Sequence, residues 1–295
     1  MSTAIDLSRL PVPNVIEALD YESILAEQYA DLVERDSSYI GLTESDPAMK
    51  VLEVTSYREL KLRQRVNEAA RAVMLAYAMD EDLDHIGALM DVPRLEIVPA
   101  DPERGINQLM ESNADYRTRI QLAPQGFSVA GPEGAYIFHA RNASGLVLDA
   151  SAISPSPGVI LVTILSREGD GTASPELLAI VEAALRTDGV RPLTDYVLVQ
   201  SATIIYYHVA AKVITFKGPD PAVALDEGNK RLNNYVTKSH RLGLTPSDSG
   251  FKGALHVEGV QRVELVEPGV MSISRTQAAF CIGIDVAHGG TYGES

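Results

Sequence analysis

Asp46-Pro47 opens a stretch that runs to about Met79 without one glycine or proline, and no other feature limits the fold as much. Aspartate at the cap position and proline in the first turn are the usual way to start a helix. Leu62, Val66, Ala69, Val73 and Tyr77 then recur at helical spacing on one face. At 1.5 Å per residue such a helix would be roughly 50 Å long, more than a compact small domain can cover. Its charged face, with Glu53, Arg58, Glu59, Lys61, Arg63 and Arg65, excludes a membrane span. Two readings remain: a seam in a bundle shared with partners, or packing against the preceding helix of the same chain. That preceding helix is expected over about Val15 to Arg35, where Tyr21, Leu25, Tyr29 and Leu32 form an apolar stripe.

Beyond this region the pattern becomes mixed. The stretch from Val98 to Pro124, with Pro99, Pro102 and Gly105, is irregular apart from a short helical piece around Tyr116 to Ile120. Gly131-Pro132-Glu133 opens another helix. Leu146-Val147-Leu148 and Val159 to Thr163 read as strands joined by a longer loop across Ser154 to Gly158. Ser174-Pro175 starts a helix to about Thr187, and Tyr196 to Val199 is the next strand. Thr203 to Phe216 alternates as a long strand with neither face fully polar, so partial cover on both faces is expected. Asp220-Pro221 starts a helix that ends near Leu242-Gly243, a short helix surrounds Gly253 to His256, and strands follow at Val260 to Val266 and Ala278 to Val286. The polar, glycine-rich tail from His288 reads as loose. The expected class is α+β: an N-terminal long-helix region over residues 1–105, a middle α+β domain over 106–200 and a C-terminal α+β domain over 201–295.

Charge and composition exclude several functions. A net charge of −15 repels a phosphate backbone or an anionic membrane surface, so neither nucleic acid nor membrane is an expected partner. No run of about eighteen apolar residues and no signal-peptide pattern occurs, which points to the cytoplasm as the place of synthesis. The lone cysteine, Cys281, lies in an apolar strand and reads as a packed thiol.

A search for chemistry yields no catalytic, cofactor or metal residues. His85, His139, His208, His240, His256 and His288 are scattered, with no metal-ligand spacing between any two, and His139 reads as a satisfied helix histidine. Asp80 to Asp84 has the acidity of a calcium loop, but His85 and Asp91 stand where its glycine and closing glutamate belong. The run reads instead as a helix break and re-cap. Gly169-Asp170-Gly171 lacks the rest of a dinucleotide fingerprint and reads as a surface turn. An α+β hydrolase with a dispersed site is the alternative from the enzyme class, and a target-binding adhesin is another; the absence of tryptophan argues mildly against the latter.

Several short strings, taken in order, resemble the J family of contractile-tail baseplates of phages and R-type pyocins. They are Ser45-Asp46-Pro47; Asn67 to Val73; Asp82-Leu83-Asp84-His85-Ile86-Gly87 with Val92 and Arg94; Tyr116-Arg117-Thr118-Arg119-Ile120; Ala130-Gly131-Pro132 with Tyr136 and His139; Val190-Arg191-Pro192-Leu193-Thr194-Asp195; Leu242-Gly243; and Gly259-Val260. Their order and spacing span about residues 15 to 287. One departure is Met79-Asp80, where a glycine is common in the family, which leaves the turn geometry there open. The resemblance implies a structural wedge protein and no enzyme. Two copies would join a second wedge protein through a bundle of N-terminal helices, with Leu62, Val66, Ala69, Val73 and Tyr77 as the seam on this chain. Other baseplate, hub and sheath-proximal proteins would be further partners in a sixfold ring that passes on the contraction trigger. Assembly in the host cytoplasm and residence in the tail of the released particle, a phage, a bacteriocin or another contractile injection system, are implied too.

Overall fold

The computed structural model describes residues 5–292 apart from 6, 8, 9, 12, 129, 188, 193 and 219. The chain divides into two compact units, one of residues 3–94 with 112–120, the other of 95–111 with 121–295.

The first unit is helical. Its elements are α1 (Tyr21–Arg35), α2 (Pro47–Ala72), α3 (Asp80–Ala88) and the first residues of α4 (Asn113–Gly126). Asp20 caps α1 by accepting from the Ser23 amide. α2 has the expected start, with Pro47 in its first turn, but it ends at Ala72 rather than near Met79. Its 26 residues span about 39 Å at 1.5 Å per residue. The cause of the early end is distant in sequence. Arg117 on α4 donates from Nε to the Leu75 carbonyl at 2.7 Å and from Nη2 to the Ala78 carbonyl at 2.6 Å. Carbonyls held by a guanidinium no longer need an intrahelical amide, so the 73–79 segment forms a turn. Burial pushes the Arg117 guanidinium below its ordinary value.

α3 begins where the acidic run was read as a re-cap, with Asp80, Glu81 and Asp82 in its first turn. There the missing glycine finds its explanation: Asp80 takes φ 47°, the left-handed region in which glycine is free of strain. Asn113 fixes it, donating to the Asp80 carboxylate at 3.0 Å and accepting from the Asp80 amide at 3.2 Å.

The second unit is α+β, in agreement with the expected class. A small antiparallel pair, β1 (Glu96–Val98) with β2 (Leu109–Met110), precedes the rest of α4, and α5 (Glu133–Asn142) follows. β3 (Val147–Ser156), β4 (Val159–Ser166) and β5 (Tyr196–Ser201) form one sheet in that order, antiparallel and then parallel. The β3–β4 connection is shorter than expected. Ser156 pairs with Val159, so Pro157-Gly158 alone make the turn, with Gly158 at φ 76°. α6 (Pro175–Leu185) starts on Ser174, whose side chain accepts from the Leu177 amide, and α5 and α6 bury Tyr136, Ala140, Val181 and Leu185 against Val147, Val162 and Ile164.

β6 (Thr203–Thr215) is the centre of a second sheet, ordered β7-β6-β8, with β7 (Val260–Glu267) antiparallel and β8 (Gln277–Thr291) parallel to it. α7 (Pro221–Ser239) and α8 (Asp248–Leu255) cover one face, where Tyr207, Val209, Ala211 and Val213 meet Leu232, Phe251 and Leu255. The other face is covered only at one end, where Ile204 packs against Leu165, Leu242 and Ala278; Tyr206 and Lys212 are exposed. β8 also continues through the expected loose tail. Thr291 pairs with Thr215, and the His288 ring lies 3.0 Å from the Thr215 hydroxyl. Backbone pairing needs no side chain, so Gly289 and Gly290 extend the strand without an apolar signal. Residues 293–295 of that tail lie outside the described part of the chain.

Candidate functional site

The strings that stand out in the sequence turn out to be joints. Tyr116 is 1% exposed and donates its hydroxyl to the Val92 carbonyl at 2.7 Å. The Arg94 guanidinium lies 4.6 Å above its ring and pairs with Asp84 at 2.7 Å. Gly87 lies so close that an added Cβ would stand 1.9 Å from the Tyr116 hydroxyl. The neighbouring Arg119, also 1% exposed, donates to the Pro93 carbonyl. Residues 82–94 and 116–120 therefore form one knot in the helical unit.

A second joint closes the middle sheet. Tyr136 donates to Asp195 at 2.6 Å, Arg191 donates to the Asp195 carbonyl at 3.0 Å, and a Cβ on Gly131 would meet Asp195 and Pro192 at 2.8 Å. Burial, with Asp195 second, pushes the Tyr136 phenol above the ordinary tyrosine range. His139 donates from Nε2 to the Gly126 carbonyl at 3.2 Å, and burial holds its pKa down. It is a satisfied helix histidine, as the sequence suggests.

A third joint ties the two sheets of the α+β unit together. The Leu242 amide donates to Asp149 at 3.1 Å, and Leu242 bridges Ala278. Desolvation raises the Asp149 carboxyl above its ordinary value, against the opposing pull of Arg141 and Arg241. Ser151 donates to the Arg275 carbonyl at 2.6 Å. The Gly169-Asp170-Gly171 turn belongs to this joint, because Tyr206 donates to Asp170.

Two surface concavities in the α+β unit hold about 390 Å³ and about 500 Å³. Arg231 of the first is paired with Glu227, and Lys252 and Arg262 of the second with Asp248 and Glu264. Among the described residues no group of three or more His, Cys, Asp or Glu is placed to hold a metal ion. Cys281 donates its thiol to the Gly283 carbonyl, and burial raises it above its ordinary value.

The feature that asks for a partner is the outer face of α2. Its inner face is polar. Gln28 of α1 donates to Glu59 at 2.7 Å and accepts from Ser56 and Thr55, while Asn67 exchanges two hydrogen bonds with the Glu17 backbone. At about 100° per residue, Val51, Val54, Leu62, Val66 and Ala69 form a stripe centred roughly 100° round the helix from that polar face, with Val66 next to Glu59. The first four of these are 56–69% exposed. Of the five seam residues expected from sequence, Leu62, Val66 and Ala69 are on this stripe. Val73 caps the helix and is 75% exposed, whereas Tyr77 lies in the turn beyond it and is half-buried. Val51 and Val54, which extend the stripe toward the N-terminus, carry the same three-and-four spacing and were legible by it.

Comparison with known proteins gives this surface its context. Residues 44–101 match the baseplate J-like N-terminal domain and residues 128–201 the baseplate J-like central domain. The chain is 48% identical to baseplate protein J of Escherichia phage P2 over 97% of its own length and 98% of the relative's. This chain belongs to the baseplate J family. As a baseplate J protein it is a structural component of a phage-type tail, and the knot at Tyr116 and the joint at Tyr136 fall within or beside the two matched domains.

Proposed function

We propose that this baseplate J protein is a wedge component of a contractile tail, joined to a second copy of itself and to another wedge protein through its N-terminal helices. The observation that carries the reading is the exposed apolar stripe of α2, which α1 leaves uncovered. Burying a valine or leucine fully is worth about 1.5–3 kcal/mol, so Val51, Val54, Leu62 and Val66, each somewhat over half exposed, supply on the order of 4–7 kcal/mol. Association itself costs about 4–15 kcal/mol. One stripe against one helix is thus near break-even, and a bundle in which each helix is shared by several neighbours is the stable solution.

In this reading the α+β unit links neighbouring wedges into a sixfold ring around the hub, and the chain assembles in the host cytoplasm before residing in the released particle. The work is a shift between two packings that frees the sheath to contract, with no covalent step. The joints at Tyr116, Tyr136 and Asp149 support this, since they suit bodies that move as units. Native mass of the chain, alone and co-expressed with the wedge protein encoded beside it, tests the proposal. A complex of two copies with one partner, lost on Val66→Asp with Val73→Asp, is expected. A monomer indifferent to partner and substitutions overturns it.

A further inference from the structure

Resting on the bundle reading above, we propose that the α2 stripe is filled by a helix of a different chain that is apolar along one side and carries carboxylates along the flank, and not by a second α2. Arg58, Lys61 and Arg65 are exposed and run in a row along one flank of the stripe, at spacings of three and four. No carboxylate among the described residues lies within ion-pair distance of any of them; Lys61 only overhangs the Tyr57 ring at 5.5 Å.

Several cations on other helices are paired, although, among the described residues, Arg35 and Lys238, like Arg71 of α2, are not. On other helices Arg186 pairs with Glu182, Lys230 with Asp226, Arg231 with Glu227 and Lys252 with Asp248, each one turn away. Even on α2, Lys50 pairs with Glu53, and Arg63, on another face, pairs with Glu59. In a chain with 40 acidic and 25 basic residues, three adjacent cations without an acid are conspicuous. The one carboxylate a turn away, Glu68, instead accepts from Gln64 at 2.9 Å. Each cation also repels the next, because like charges three or four apart weaken a helix. Carboxylates on a docked helix would remove that repulsion.

A second α2 cannot supply them. An antiparallel pair sets the basic flank against its own copy. A parallel pair sets it against the flank of Glu59, whose carboxylate is already held by Gln28 and Arg63. Specificity of this kind, through flank charges beside an apolar seam, is how paired helices select partners.

The test uses the full chain and two synthetic helical peptides with one leucine seam, one flanked by glutamate and the other by lysine, read by fluorescence anisotropy. The glutamate peptide is expected to bind at least about tenfold more tightly, with the gap narrowing as salt shortens the Debye length. In R58E/K61E/R65E the preference should reverse, a result that mere loss of folding cannot produce. Equal binding of the two peptides overturns the charge selection and leaves the bundle seam standing. Binding of neither overturns both, whereas dimerisation of the chain alone that Leu62→Asp abolishes puts a second copy on the stripe and overturns this proposal while the seam stands.

Discussion

Tyr136 on α5 and Asp195, 59 positions later in the chain, share a hydrogen bond of 2.6 Å that pins the segment before β5 to the helix covering the middle sheet. The Tyr136 ring is 1% exposed, so water cannot replace the carboxylate if it is removed. Tyr136→Phe is expected to cost about 1–2 kcal/mol, and Asp195→Ala more, because it strands a buried hydroxyl. Urea unfolding of the two single variants and the double should reveal coupling. Additive losses would show that the bond carries no stability.

Acid and alkali should act in opposite directions on two aspartates of the joint between the sheets. Tyr206, followed by the Thr172 amide, holds Asp170 down at about 2. Its contribution is therefore complete above the ordinary value of 3.8 and is lost as pH falls toward 2. Asp149 is raised by desolvation, so its protonated form favours the folded state, and that contribution is lost as pH rises through its folded value. Melting profiles from pH 2 to about 7 should flatten at the acid end for Asp170→Asn. Asp149→Asn should gain relative to wild type toward neutral pH. Unchanged profiles would refute the assignment.

Gly87→Ala should destabilise the helical unit. Its Cβ would meet the Tyr116 hydroxyl at 1.9 Å and the Val92 carbonyl at 2.8 Å, breaking the bond between them. Overpacking of this kind costs about 1–3 kcal/mol. Gly145→Ala should be at least as harmful, since the Glu96 carbonyl oxygen, 2.1 Å away, is backbone and cannot rotate aside. Chemical denaturation followed by tyrosine fluorescence checks both; wild-type midpoints would contradict the packing.

The stripe on α2 should be silent in the isolated chain. Val66 and Val73 are 60% and 75% exposed, so changing either to Asp should shift stability within about 0.5 kcal/mol. A larger loss in the purified monomer would mean that these residues are core, and the assembly reading of this face would fall with them.

The elements fixed by local chemistry are legible in the sequence. Ser174-Pro175 and Asp220-Pro221 each start a helix where a side-chain cap and a proline stand together, because a cap acts within four residues, while Pro47 opens α2 with the Asp46 carboxylate turned back to Thr43. The alternation of β6 is of the same kind, and the acidic run opens α3 by its charges in the first turn, without a side-chain cap. The order of the short strings is sufficient for the family, but their roles as joints are invisible one string at a time, since each partner lies far away in sequence.

What tertiary structure alone decided came through such distant partners. Arg117 ends α2 seven residues before the pattern does, by taking carbonyls that further helix would have used. β6 draws His288 to Thr291 into a strand that their glycines do not favour. Gln28 and Asn67 turn the polar side of α2 inward, which leaves the valines and Leu62 facing out. Periodicity determined that α2 has an apolar stripe; hydrogen bonds from residues up to 50 positions away determined which way it faces. A repeat in sequence gives the relative angle of side chains about a helix axis, whereas the direction of that face depends on where the rest of the chain finds its partners.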